Sequence, residues 1–179
     1  MLRHADPERD AAACAAIYTP HVLEGTASFE AEPPSARDMA GRIAASARTH
    51  PWLVCERDGL VAGYAYASAH HDRAAYRWSA DVAVYVDSRH HRSGVGRELY
   101  EALLPLLSRQ RLHVACAGIT LPNDASVALH EALGFEPIGV YRAIGFKFGR
   151  WHDVGWWQAR LRPASDEPPA EPLAPQRLT

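Results

Sequence analysis

Cysteine is scarce in this chain: of 179 residues only three are Cys. Cys14, Cys55 and Cys116 lie far apart and are odd in number, which excludes a disulfide framework as the organising principle. No apolar run approaches the ~20 residues of a membrane-spanning helix, and the N-terminus has no signal-like apolar region. The expected compartment is therefore the cytoplasm, with no membrane partner. Neither Lys nor Arg forms a long run, and a net charge of −2 with a pI near 6.5 leaves no footprint for a polyanion; nucleic acid is not an expected partner. Histidine is plentiful, with ten residues, yet its spacing does not suit a metal. His70-His71 and His90-His91 are adjacent rather than a helical turn apart, and His130-Glu-Ala-Leu-Gly134 is not His-Glu-x-x-His, so no metal is expected.

What the chain does have is core material. With 47% hydrophobic residues, it suffices for one domain and is short for two. That domain is expected over 1–162. Pro163, Pro168, Pro169, Pro172 and Pro175 mark 163–179 as a Pro-rich flexible tail.

Met1 to His4 reads as a short edge strand. Asp6 caps a helix with Pro7 in its first turn, and Pro20 is expected to kink that helix or start another. Ala27 to Glu30 reads as extended, and Ser35 to about Arg48 as a second helix. Trp52 to Arg57 and Leu60 to Ala67 flank Asp58-Gly59, a favoured hairpin turn. A strand from about Ser79 to Val86 then passes through a polar turn into a helix, Ser93 to Arg109, and on to a strand, Leu112 to Ile119. This β-α-β unit requires parallel strands. A helix from Ala125 to Leu133 ends at Gly134, and strands follow near Glu136 to Tyr141 and Val154 to Leu161. The order implies an α/β (α+β) fold with a mixed central sheet flanked by helices.

The turn between the central strand and its helix, Arg92-Ser-Gly-Val-Gly-Arg97, carries the chemical signal. A helix N-terminus offers free N–H groups and a partial positive charge, which suits a phosphate-bearing ligand. A dinucleotide fingerprint would need Gly where Leu99 stands, and a Walker A loop would need Gly-Lys-Ser/Thr. The turn instead resembles the acyl-CoA-binding motif of the GNAT superfamily of N-acyltransferases, with His91 where Gln or Arg is usual. Asn123 and His130, seven residues apart on one helix before Gly134-Phe135, match a second element of that superfamily, in which a Tyr near the departing sulfur occupies the His130 position. Asn123 also suits a simple N-cap.

The resemblance narrows through His50-Pro-Trp-Leu-Val54, Ala75-Tyr-Arg-Trp-Ser-Ala-Asp81, Leu129-His-Glu-Ala-Leu-Gly-Phe135 and Gly145-Phe-Lys-Phe-Gly-Arg-Trp-His-Asp-Val-Gly-Trp-Trp-Gln158. These strings are similar to the phosphinothricin N-acetyltransferase family, whose relatives also acetylate methionine sulfoximine and methionine sulfone. The resemblance implies a GNAT-like fold with splayed parallel strands, an acetyl-CoA cosubstrate, a small amino-acid acceptor and a homodimer. It places the cofactor at Arg92, Ser93, Gly94, Val95, Gly96, Arg97 and Asn123, and along the backbone of Val84, Tyr85 and Val86. The side chains of the valines read as ordinary core.

Catalysis is implied at His130 and Asp81. Asp81 stands for the family's Glu, one methylene shorter, and is expected to orient His130 or relay a proton. Phe29, His71, Arg73, Tyr76 and Tyr85 match substrate positions, with His71 in place of a Lys. Tyr141 or a water is a candidate acid for the leaving thiolate, and Cys116 is assigned to packing. Two other readings stay open: the same chemistry on another amine, such as a polyamine or a protein N-terminus, and a non-catalytic acyl-CoA-binding module, since Asp81 and His91 both depart from the pattern.

Overall fold

A computed structural model describes residues 1–163, 167 and 169–175. Seven strands form one sheet: β1 (Leu2–His4), β2 (Trp52–Arg57), β3 (Leu60–Ala69), β4 (Ser79–Val86), β5 (Val114–Leu121), β6 (Glu136–Lys147) and β7 (Arg150–Arg160), in the order β1-β2-β3-β4-β5-β7-β6. The β4–β5 pair is parallel and the others are antiparallel. Helices α1 (Pro7–Leu23), α2 (Ala36–Ser46), α3 (Val95–Arg109) and α4 (Asp124–Glu131) complete the fold.

Strand alternation assigns each face its own core. Leu99, Leu103, Leu106 and Leu107 of α3 pack on Ala65, Ala80, Val82, Ala115 and Ala117. On the opposite face, Cys14, Ile17, Tyr18 and Val22 of α1 and Met39 and Ile43 of α2 cover Trp52, Val54 and Tyr64. Each fully buried Leu, Ile or Val contributes about 1.5–3 kcal/mol relative to exposure.

The β2–β3 turn follows its local chemistry, Asp58 and Gly59 both taking positive φ. Other boundaries differ from the sequence reading. Helix α1 runs through Pro20 without a break, because Ile17 and Tyr18 before the proline and Val22 after it are buried in one core. Helix α3 begins at Val95 rather than Ser93, with Gly94 as its N-cap.

Strand β6 continues past Tyr141 to Lys147, and β7 starts at Arg150 rather than Val154. A register irregularity between Tyr141 and Gly145, with Ala143 at φ 48°, interrupts the period that would have betrayed a single long strand. In the segment expected to be a flexible tail, Ala170 O accepts from Trp78 Nε1 at 2.9 Å, Leu173 N donates to Gln110 O at 2.9 Å, and Glu171 pairs with Arg77 at 2.7 Å. Residues 164–166, 168 and 176–179 of that segment lie outside the described residues.

The relationship that positions the site lies between β4 and β5. They pair only at Ser79–Val114, Ala80–Ala115 and Asp81–Cys116, although β4 runs on to Val86 and β5 to Leu121. Beyond Asp81 and Cys116 the strands part.

Candidate active site

Strand β4 leads directly into the turn before α3. Arg92 and Gly94 both have positive φ, 58° and 87°, and Gly adopts such a conformation without steric cost. Val95 is buried and anchors the turn, while Arg92, Ser93, Gly94 and Arg97 are exposed. The amides of Val95, Gly96 and Arg97 occupy the first helical turn, where no intrahelical acceptor exists. At Gly96 a Cβ would come within 3.2 Å of Leu129 Cδ2, so glycine lets α3 approach α4. His91 turns back to the strand, its Nε2 donating to Val86 O at 3.1 Å.

The parting of β4 and β5 leaves a cavity of about 70 Å³, lined by Val82 to Tyr85, Ala117 to Thr120, Ala27, Tyr100, Asn123, Ser126 and His130. Asn123 caps α4, its side chain accepting from Ser126 N at 3.2 Å. His130 is buried, and both ring nitrogens are engaged. Nδ1–H donates to Ser126 O at 2.7 Å, and Nε2 accepts from the Tyr100 hydroxyl at 3.0 Å. Burial pushes the His130 pKa down, with the Ser126 carbonyl opposing, so this imidazole is neutral near pH 7.

A second cavity, about 650 Å³, lies where the gap begins and is lined by His70, His71, Tyr76, Ser79, Asp81, Val114, Cys116, Tyr141, Trp156 and Gln158, among others. Asp81 Oδ1 lies 2.7 Å from His70 Nδ1. Burial pushes the Asp81 carboxyl up, with the His70 hydrogen bond opposing.

The expected pairing of Asp81 with His130 is therefore corrected. Ala80 and Val82 face the core that α3 covers, so by strand alternation Asp81 points to the other face. Its partner is His70. Tyr141, one of the two candidate acids, likewise lines the Asp81 cavity rather than the one that holds His130.

The remaining expected substrate residues divide. His71 and Tyr76 lie with His70, ring centroids 4.3 Å (His70–His71), 4.8 Å (His71–Tyr76) and 5.8 Å (His70–Tyr76) apart. Arg73 is exposed in the same loop, at the start of the short 3-10 turn Ala74–Tyr76. Tyr85 borders the β4–β5 gap, but its ring packs against Tyr18, Tyr64 and His21. Phe29 lines neither cavity. Its ring lies against Gly145, where a Cβ would sit 2.1 Å away.

That contact explains part of the Gly145–Gln158 string. Lys147 Nζ donates to Val22 O and Ser28 O at 2.6 and 2.7 Å, and His152 Nε2 donates to Lys147 O at 3.0 Å. The β6–β7 hairpin thus clamps the loop whose Ala27 borders the gap.

His70, Asp81 and Cys116 place a nitrogen, an oxygen and a sulfur within 4.8 Å of one another. Nδ1 and Oδ1 stand at hydrogen-bond distance, and burial raises the Cys116 thiol to about 11, with Asp81 adding to the shift. A neutral thiol beside a bonded His–Asp pair does not indicate a metal centre. Sequence reasoning missed His70, Tyr100 and the Lys147 clamp. Each depends on contacts between distant elements, and only the position of His70 just after β3 offered a signal.

A family model described as an acetyltransferase (GNAT) domain matches residues 4–156. The chain is 40% identical over 164 residues to phosphinothricin N-acetyltransferase of Streptomyces viridochromogenes, covering 92% of this chain and 90% of that one. It is 34% identical over 161 residues to L-methionine sulfoximine/L-methionine sulfone acetyltransferase of Salmonella typhimurium, covering 89% and 94%. Its fold matches the crystal structure of a GNAT superfamily phosphinothricin acetyltransferase from Sinorhizobium meliloti in complex with acetyl-CoA. The TM-score is 0.90 at 35% identity, covering 96% of this chain and 93% of that chain.

Proposed function

The chain belongs to the GNAT acetyltransferase family, and from that premise we propose that it transfers acetyl from acetyl-CoA to the α-amino group of phosphinothricin, methionine sulfoximine or a similar amino acid. The observation that carries this reading is the parting of β4 and β5 beyond Asp81–Cys116, between a turn suited to phosphate and a pocket suited to an amine. The reaction domain is residues 1–162, and the compartment is the cytoplasm. Resistance to a phosphinothricin herbicide would follow from the same activity.

In this reading the Arg92–Arg97 turn holds the diphosphate through main-chain N–H groups, with Arg92 and Arg97 beside it. The β4 backbone from Val84 to Val86 pairs with the peptide-like pantetheine arm, and Asn123 borders the arm from α4. The thioester then ends near Asp81. An α-amino group is largely protonated at pH 7 and must lose a proton before it attacks. Asp81 serves that side of the reaction, in the larger cavity with His71 and Tyr76 and with Arg73 in the adjoining loop. His130 and Tyr100 serve the other side, where their hydrogen-bonded pair borders the gap beside the departing sulfur and holds the wall of the cavity in place.

We assign the outer face of β6 to a homodimer contact. Ile138, Val140, Tyr141, Ile144 and Phe146 are exposed along this edge strand, and Trp151 beside it is 62% exposed. A monomer does not ordinarily leave such an apolar edge bare. The test of function is purified chain with acetyl-CoA, a thiol reagent and a panel of amines. Thiol release with phosphinothricin or methionine sulfoximine, matched by N-acetyl product, is expected. Turnover confined to polyamines or peptides would replace the acceptor class, and acetyl-CoA binding without thiol release on any amine would replace the enzyme with a binding module.

A further inference from the structure

We propose that His70 is the catalytic base that takes the proton from the incoming amine, with Asp81 as the partner that orients it and balances its charge. This rests on the acetyltransferase reading and adds a residue and a role to it. Asp81 marks the last rung of the β4–β5 ladder, the point at which the gap opens. Its Oδ1 accepts from His70 Nδ1–H at 2.7 Å, which fixes the tautomer and leaves the Nε2 lone pair as the basic site. Among the described residues no hydrogen bond engages Nε2.

The ring is also held. His70 N donates to Ser79 O at 3.4 Å, and the His71, Tyr76 and Trp156 rings pack around it at 4.3, 5.8 and 5.9 Å between centroids. Asp is one methylene shorter than Glu, so its carboxylate is set back toward the strand. An imidazole in front of it carries basicity farther into the pocket. His130 cannot share the task, because both its nitrogens are engaged and it borders the other cavity.

The remaining titratable groups lining the His70 pocket are His71 on its own loop, Tyr76 on the 3-10 turn, Cys116 on β5 and Tyr141 on β6. The Cys116 thiol stays neutral. Among the described residues, Asp81 is thus the only carboxylate that lines the His70 pocket. An ammonium proton passes to His70 Nε2. The freed nitrogen lone pair forms the C–N bond at the thioester carbon, and the C–S bond breaks with its electron pair going to sulfur. The nitrogen's second proton ends on the thiolate, and His70 returns the first to solvent.

The test compares wild type with His70→Gln, His70→Ala and Asp81→Asn, reading kcat/KM for the acceptor against pH, acetyl-CoA affinity and thermal midpoint. General-base loss costs about 10²–10⁴-fold. His70→Gln is expected to lose about 100-fold or more in turnover with acetyl-CoA affinity within about twofold, and to lose the acidic limb of the pH–rate profile. Added imidazole is expected to restore part of the activity of His70→Ala, which a merely structural role would not allow. Asp81→Asn should lose less than His70→Gln. Near-normal turnover and an unchanged profile in His70→Gln, or no imidazole rescue beside a dead Asp81→Asn, would overturn the proposal and make the carboxylate the base. If the wild type itself acetylates no amine, the failure belongs to the acetyltransferase reading and takes this proposal with it.

Discussion

Asp81 and Cys116 face each other in the last rung of the parallel ladder, and from that rung β4 and β5 diverge around a cavity of about 70 Å³. Two residues on, Ala83 lines the cavity. Enlarging it should obstruct the acyl arm without touching the phosphate turn. Ala83→Leu is expected to weaken acetyl-CoA binding at least about tenfold, or ~1.4 kcal/mol, while adenosine 3′,5′-bisphosphate, which lacks the arm, binds as before. Isothermal titration of both ligands checks this. Equal losses for both would mean that the arm does not enter the gap.

Lys147 ties the β6–β7 hairpin to the loop after α1. Lys147→Met keeps the apolar stem but leaves the Val22 and Ser28 carbonyls without their charged donor. A hydrogen bond to a charged group contributes about 1.5–3 kcal/mol. The variant should lose roughly 2 kcal/mol in denaturant unfolding and raise KM for acetyl-CoA, because Ala27 on that loop borders the gap.

Burial lowers the His130 pKa, and it lowers those of His21 and His50 as well. The unfolded chain therefore binds protons before the folded one. Stability is complete above the unfolded value of about 6.5 and falls as pH drops from there toward the folded pKa values. Thermal midpoints measured from pH 8 to pH 5 should decline below about 6.5. In His130→Phe the decline should be shallower, although the variant starts lower at pH 8 because Tyr100 loses its acceptor.

The exposed apolar edge of β6 predicts a dimer. Ile144→Glu combined with Trp151→Glu changes two residues that are 57% and 62% exposed, so the monomer fold should survive. Sedimentation equilibrium should show wild type at twice the monomer mass and the double variant at the monomer mass. A monomeric wild type would remove the contact.

The sequence made legible what local chemistry dictates. Asp58-Gly59 supplied the hairpin turn, and Asp6 and Asn123 the helix caps. The gap was legible only through resemblance. The partners of the candidate site were not legible, because they depend on register across a long connection. Ser68 pairs with Asp81 and Ala69 with Ala80, which brings His70 to Asp81, yet the connection between β3 and β4 carries no tight hairpin dipeptide such as Asp58-Gly59 from which that register could be read. The resemblance implied an Asp81–His130 pair, and strand alternation turns Asp81 to the other face. The length of β6 was hidden by the irregularity around Ala143, where Ala143 N donates to Asp153 Oδ1 at 2.7 Å.

The central claim is that a phosphate-bearing acyl donor is held by the turn at the head of α3. Calorimetric titration of acetyl-CoA into wild type, Gly94→Asn and Gly94→Asp tests it most directly. Asn and Asp share a shape and both tolerate positive φ, so the pair isolates the charge at a residue with φ 87°. The account predicts stoichiometric binding to wild type, modest weakening in Gly94→Asn, and a loss of at least about a further tenfold in Gly94→Asp at an unchanged thermal midpoint. Equal acetyl-CoA affinity in the Asn and Asp variants would contradict it.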